Sequence, residues 1–134
     1  MTLKQFLNVN DRFAAQAGCQ IEEISEGYAK ASMTVEPRHL NAAGVCQGGA
    51  LFTLADLATA AVMNSHGDLT LSLQNNIAFL RSAKEGDHLT AEARESFNHH
   101  RIPYINVEIK DGEGNLICII SGIAFRKKGV PVIP

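Results

Sequence analysis

The stretch His39–Asp56, HLNAAGVCQGGALFTLAD, runs from a polar, glycine-rich approach into a helix that is apolar on nearly every side. A surface helix keeps one polar face, so this pattern predicts a helix bound for the interior. From Gly48 to about Asn64 only Thr53, Asp56 and Thr59 interrupt the apolar residues, and only Asp56 is charged. A carboxylate on a buried segment costs several kcal/mol unless it is paired, hydrogen-bonded or beside a cavity. At the start of the helix the first N–H groups have no intrahelical partner and the dipole favours negative charge. Gly48 and Gly49 let another molecule come close to them.

Before this stretch, Leu3, Phe6, Leu7, Phe13, Ala14 and Ala17 recur at helical spacing, which predicts one short amphipathic helix or two, ended by Gly18. Residues 19–25 and 28–36 then read as two strands joined at Glu26-Gly27, with Ala29, Ala31, Met33 and Val35 on one face. Beyond the helix, Ser65-His66-Gly67-Asp68 is a stop, with Gly67 suited to a left-handed cap. The pattern now changes to period two. Leu69, Leu71, Leu73, Ile77 and Phe79 fall on one face of a strand, and Thr70, Ser72, Gln74 and Asn76 on the other. Further strands are expected at 88–97, 102–110 and 116–126, the last apolar enough to be central, with the tail GVPVIP leaving the fold. The order predicts an α+β architecture, one antiparallel sheet wrapped around the long helix. Its uncovered sheet face or edge would be closed by dimerisation.

At 134 residues with 46% hydrophobic and 19% charged residues, the expectation is one globular domain, 1–134. A formal charge of −2 gives no basic footprint for nucleic acid. Cys19, Cys46 and Cys118 are widely spaced and odd in number, and read as reduced thiols of a cytoplasmic protein. MTLKQFLNVNDRF lacks the apolar core and cleavage site of a signal peptide. The run Ala50–Met63 is shorter than the roughly 20 residues of a membrane span and contains Asp56, so no membrane partner is expected.

The spacing of His39, Asn41, Gly44, Gly48, Gly49 and Asp56 resembles the signature of the hotdog-fold acyl-CoA thioesterases, specifically the phenylacetyl-CoA thioesterase-like branch of the 4-hydroxybenzoyl-CoA thioesterase superfamily. The resemblance covers almost the whole chain. It implies hydrolysis of a small or medium acyl-CoA, aromatic acyl groups included, to free acid and CoA. No metal or separate cofactor is implied. The backbone N–H of Gly48 would polarise the thioester carbonyl, and Asp56 would act as nucleophile or as general base toward water. Asn41 would help to position the site, Ser72 would assist from the following strand, and Arg101 would suit the CoA phosphates. His39, Gln47 and Gly49 would contact substrate. The resemblance also implies a homo-oligomer, a dimer or dimer of dimers (homotetramer), with glycine and acid drawn from opposite subunits. One position departs from the signature: Gln47 stands where the branch has histidine, and Gln cannot titrate.

Read without the resemblance, each residue has a plainer role. Asp56 serves equally as a helix aspartate reaching solvent, the glycines as a site of tight packing, Asn41 as a turn residue, Ser72 as a surface serine and His39 as a structural group. Cys46 lacks an adjacent base and reads as a small buried hydrophobe. His99 and His100 point to opposite faces of a strand, which argues against a metal. Two other functions compete: a non-catalytic acyl-CoA-binding module, supported by Gln47, and an enoyl-CoA hydratase, disfavoured because no Asp-then-His spacing occurs at the helix start.

Overall fold

The computed structural model describes residues 1–134. Two short helices, α1 (Leu3–Asn10) and α2 (Arg12–Gln16), lead into strands β1 (Gln20–Ser25) and β2 (Tyr28–Thr34). A 3-10 turn, Pro37–His39, precedes the long helix α3 (Gly48–Met63). Four strands follow: β3 (Asp68–Phe79), β4 (His88–Phe97), β5 (Tyr104–Lys110) and β6 (Leu116–Pro131). They form one six-stranded sheet in the order β1-β2-β4-β5-β6-β3, antiparallel throughout. The sheet curls around α3, the hotdog arrangement that the sequence leads one to expect. Leu54, Leu57, Ala58, Ala61 and Val62 on the helix meet Ala31, Met33, Leu89, Ala91, Val107, Ile109 and Ile117 on the strands, all essentially without solvent exposure. Alanines at 29, 31, 91 and 93 keep the strand surface low, so a helix can lie close against it.

Three sequence expectations are corrected. Helix α3 is not covered all round: Gly49 and Asp56 are exposed and Phe52, Thr53 and Ala60 half-buried, a stripe at helical spacing left open in the single chain. The tail does not leave the fold, because β6 continues to Pro131, which pairs with Asp68, and the Val132 N–H donates to Gly67 O at 3.0 Å.

The third concerns β3. Strict alternation would put Leu69, Leu71, Leu73, Ile77 and Phe79 inward together, but Leu71 and Leu73 are 50% and 57% exposed while Thr70 is fully buried. The cause is a bulge between Ser72 and Gln74. Ser72 pairs with Ala124 and Phe79 with Cys118, and both partners are buried on the helix side. One extra residue shifts the phase of a strand and turns every later side chain over. Ser72 and Phe79, seven positions apart, therefore share the face that alternation would deny to one of them.

Candidate active site

The start of α3 is assembled by its approach loop. Asn41 Oδ1 accepts from the N–H groups of Ala43 at 3.0 Å and Val45 at 3.2 Å, and Asn41 N–H donates to Val45 O at 2.8 Å. Gly44 turns the loop with φ +79°, a conformation that suits glycine. With its oxygen committed, the Asn41 amide nitrogen makes no bond within the chain and faces outward. Gln47 is the N-cap of α3. Its Oε1 accepts from Gly49 N–H at 2.9 Å, its carbonyl accepts from Ala50 at 2.9 Å and Leu51 at 3.3 Å, and its own N–H donates to His39 O at 2.7 Å. A side chain at Gly49 would meet Gln47 Oε1 at 2.5 Å and would push that side chain from its capping position.

One group is left over. Among the first N–H donors of α3, only that of Gly48 has no partner in the protein. It opens onto a cleft of about 430 Å³ lined by Asn41, Val45, Leu51, Phe79 and Arg81. An unpaired N–H at the positive end of a 16-residue helix is an anion-stabilising donor. Cys46, on the wall of the same cleft, is buried, and burial pushes its thiol up, so it stays protonated.

Asp56 lies on the open stripe of α3, two turns on. Its side chain is exposed to solvent by surface area, yet enough protein crowds the carboxyl to raise its pKa above the ordinary 3.8, with the nearby charge of Asp11 adding to the shift. A raised carboxyl is a better base once ionised. Ser72 stands on the helix side of β3 with its hydroxyl 4.0 Å from Met63 Sδ. Met63, itself buried, follows Asp56 by seven residues, about 10 Å of axis between their Cα positions, and its long side chain leans back toward Asp56, which brings the Ser72 contact to that side.

His39 is buried, its Nδ1 accepting from Glu36 N–H at 2.9 Å. The proton is therefore on Nε2, which donates to Ala17 O at 2.7 Å. Both ring nitrogens thus hold the turn against the end of α2. Arg101 is exposed in the β4–β5 connection, and its carbonyl accepts from Arg126 N–H at 2.8 Å near the opposite end of α3. That end is roughly 24 Å from Gly48 along the helix. The structure therefore brings together Asn41, Gln47, Gly48 and Gly49, places Asp56 and Ser72 along the helix stripe, and sets Arg101 apart in the single chain.

Two features escape a reading of the sequence. Arg81 lines the Gly48 cleft and has no ion-pair partner. Far from it, Arg126 and Glu95 form a buried pair at 3.4 Å, and Glu95 also holds His66 at 2.6 Å. Arg126 donates further to Asn98 Oδ1 at 2.9 Å and His99 O at 3.1 Å. The residues that Arg126 meets are 27 to 31 positions away in sequence.

The thioesterase superfamily model matches residues 43–118, more than half of the chain. A putative esterase of Archaeoglobus fulgidus is 40% identical over 124 residues, covering 92% of this chain and 80% of the relative. The acyl-coenzyme A thioesterase PaaI of Escherichia coli is 34% identical over 120 residues, 90% of this chain and 86% of the relative. The structure of that E. coli protein, from the phenylacetic acid degradation operon, superposes with a TM-score of 0.88 at 31% identity over 96% of this chain and 99% of the other. A hypothetical thioesterase of Streptococcus pneumoniae, solved with coenzyme A, superposes with a TM-score of 0.77 at 28% identity, covering 81% and 88% of the two chains. By the matched family model, this similarity across nearly its whole length and the helix-in-sheet fold, the chain belongs to the thioesterase superfamily as a PaaI-like hotdog protein.

Proposed function

We propose that two copies of this chain together hydrolyse small or medium acyl-CoA thioesters, aromatic acyl groups among them, to the free acid and CoA. The observation that carries this reading is the unpartnered Gly48 N–H at the head of α3. A thioester carbonyl that accepts from this N–H gains most as negative charge grows on its oxygen. Asp56 supplies the other half, attacking the carbonyl carbon itself or taking the proton of an attacking water. The similarity to an E. coli acyl-coenzyme A thioesterase and to a S. pneumoniae protein solved with coenzyme A supports a CoA ester as substrate.

Gly48 and Asp56 of one chain do not serve one carbonyl. Eight residues along a helix are about 12 Å of axis, whereas donor and attacking atom must both lie about 3 Å from the reacting group. The site then takes its glycine from one copy and its acid from another. The sheet offers the joint: β3 is an edge strand of 12 residues, and Leu69–Leu80 carries no charge to discourage pairing. Two such pairs would make the homotetramer.

Asn41, with its amide nitrogen free, positions the substrate, and Ser72 assists Asp56. Alanine variants of the S. pneumoniae protein at an aspartate and at a threonine sixteen residues later have been solved, the separation of Asp56 and Ser72. Arg81 at the cleft takes the CoA phosphates, with Arg101 reaching them from the second copy. Gln47 and Gly49 shape the helix start beside the substrate, and His39 holds the loop that carries them. No helix is long and apolar enough to cross a membrane. Three buried free cysteines fit the reducing cytoplasm as the compartment.

The test is thiol release from a panel of acyl-CoAs. Turnover supports the assignment, and tight binding without released thiol replaces it with a binding module. Mixing inactive Gly48→Pro and Asp56→Ala proteins tests the shared site. Mixed pairs hold one intact site, so activity should return to about a quarter of wild type; no recovery from mixtures that exchange subunits would refute a site built from two copies.

A further inference from the structure

Gly48 is not merely open. The ring of Phe79 lies over it, so close that a methyl group on Gly48 would stand 2.9 Å from Phe79 Cζ and 3.1 Å from Cε1. Phe79 is the last residue of β3, and it faces α3 because the bulge between Ser72 and Gln74 reverses the strand. The ring remains 54% exposed, so it is not held there by burial in the core. It borders the same cleft as Gly48, Leu51 and Asn41.

We propose that Phe79 is a positioning residue for the thioester reaction, an aromatic wall packed on Gly48 that narrows the approach of water from the cleft to the Gly48 N–H and lowers the dielectric around the donor for the carbonyl oxygen. This rests on the hydrolase reading given above. A hydrogen bond from N–H to developing oxyanion strengthens as water is excluded, because the surrounding dielectric falls. A flat apolar ring against the glycine excludes water without offering a competing acceptor to the donor. Gly48 is needed for the same reason, since any larger residue displaces the ring. The bulge is what allows Ser72, beside the Asp56 stripe, and Phe79, at the helix start, to serve one face of α3.

The cover acts on the donor and leaves the fit of the acyl chain alone, and this distinguishes it from a pocket wall. Phe79→Ala should lower kcat about tenfold, by a similar factor for short, long and aromatic acyl-CoAs, with KM changed less than twofold. Phe79→Leu should fall between the two, and Phe79→Tyr should restore most of the rate. An activity-independent measurement accompanies these. Amide hydrogen exchange of Gly48, followed by NMR in the folded protein, should speed up about tenfold in Phe79→Ala while amides in the middle of α3 keep their protection. Loss that varies strongly with acyl length overturns the cover in favour of a pocket wall. Unchanged kcat together with unchanged Gly48 exchange overturns it outright. If wild type turns over no acyl-CoA, the hydrolase reading fails first, and the exchange measurement still decides whether the ring shields the donor.

Discussion

The two ends of α3 are built on opposite principles. At the C-terminal end nearly every polar group is answered. Asn64 bridges to β3 by accepting from Thr70 N–H at 2.8 Å and donating to Thr70 O at 3.1 Å, and the carbonyls of Ala60 and Val62 each accept twice. Ser65 Oγ accepts from Gly27 N–H at 3.1 Å, while His66 reaches Glu26 at 3.2 Å and Glu95 at 2.6 Å. Only Arg126 Nε is left over. At the N-terminal end Gln47 satisfies its neighbours and leaves Gly48 N–H unpaired beside a cleft. Both ends use short-range capping chemistry, yet one closes the fold and the other reserves a donor. Where a helix terminus is otherwise carefully capped, the single group left free is the donor on which the proposed function rests.

The comparison breaks first if chemistry does not reside at the open end. Asp56→Ala should lower turnover by orders of magnitude while the oligomer and its circular dichroism are retained. At Gly48 two substitutions separate the donor from the space around it. Proline is tolerated at the first position of a helix but has no N–H. Alanine adds the same Cβ and keeps the N–H. Both press on Phe79, so the ratio of their rates isolates the donor, and Gly48→Pro should be about 100- to 1000-fold slower than Gly48→Ala. Equal rates for the two would remove Gly48 N–H from the mechanism.

At the closed end the expected effect is on stability and leaves chemistry alone. The side chains of Glu95 and Arg126 are 6% and 7% exposed. Glu95→Ala strands a buried guanidinium and removes one of the two carboxylate partners of His66, for a loss of about 3–5 kcal/mol read by urea denaturation. Activity per folded molecule should stay near wild type. A large kcat loss without loss of stability would show that the two ends are not independent.

How much of this was readable in the chain follows the same division. The helix, its cap region and the order of strands come from local periodicity and from the His39–Asp56 spacing, so β4 at 88–97 and the start of α3 at Gly48 emerge where the pattern puts them. What period-two counting cannot see is the extra residue near Leu73, because a bulge is set by pairing with β6 and not by β3 itself. That hid the sharing of one strand face by Ser72 and Phe79. It also made an apolar face of Leu71 and Leu73 seem internal. The Arg126–Glu95–His66 chain was hidden for another reason: its members come from β6, β4 and the end of α3, and only the folded sheet makes them neighbours. Gln47 was legible as a departure but not as a cap, since capping depends on a backbone conformation, here φ −65° and ψ 140°.

That cap gives the next smaller test. Gln47→Ala removes the acceptor of Gly49 N–H and should cost about 1 kcal/mol of stability. It also gives the helix start a second unpaired donor beside the first. If one free donor is sufficient, kcat should change less than threefold. A large gain in kcat would mean that Gln47 had been restraining the site, and a loss beyond tenfold would give Gln47 a direct part in it.

The smallest effect concerns Asp56 as a charged group in the folded chain. Burial of the carboxyl, and secondarily the charge of Asp11, raises its pKa above 3.8. The folded state then binds this proton more tightly than the unfolded chain does, so stability falls as pH rises from the unfolded value through the raised one, and the full cost is present above it. Asp56→Asn removes that cost. The variant should therefore melt slightly higher than wild type at neutral pH, and the difference should vanish below the window, where wild type is protonated as well. Catalysis runs in the opposite direction, because only the carboxylate attacks or accepts a proton. The acid limb of kcat/KM should lie above the ordinary aspartate value, and Asp11→Asn should move it down without lowering the plateau. A thermal gain matched to a catalytic loss at one residue is what a charge kept for reaction, and not for folding, should show. If Asp56→Asn instead melts lower at neutral pH, the carboxylate is holding the structure together, and the open end of α3 is less open than its hydrogen bonds indicate.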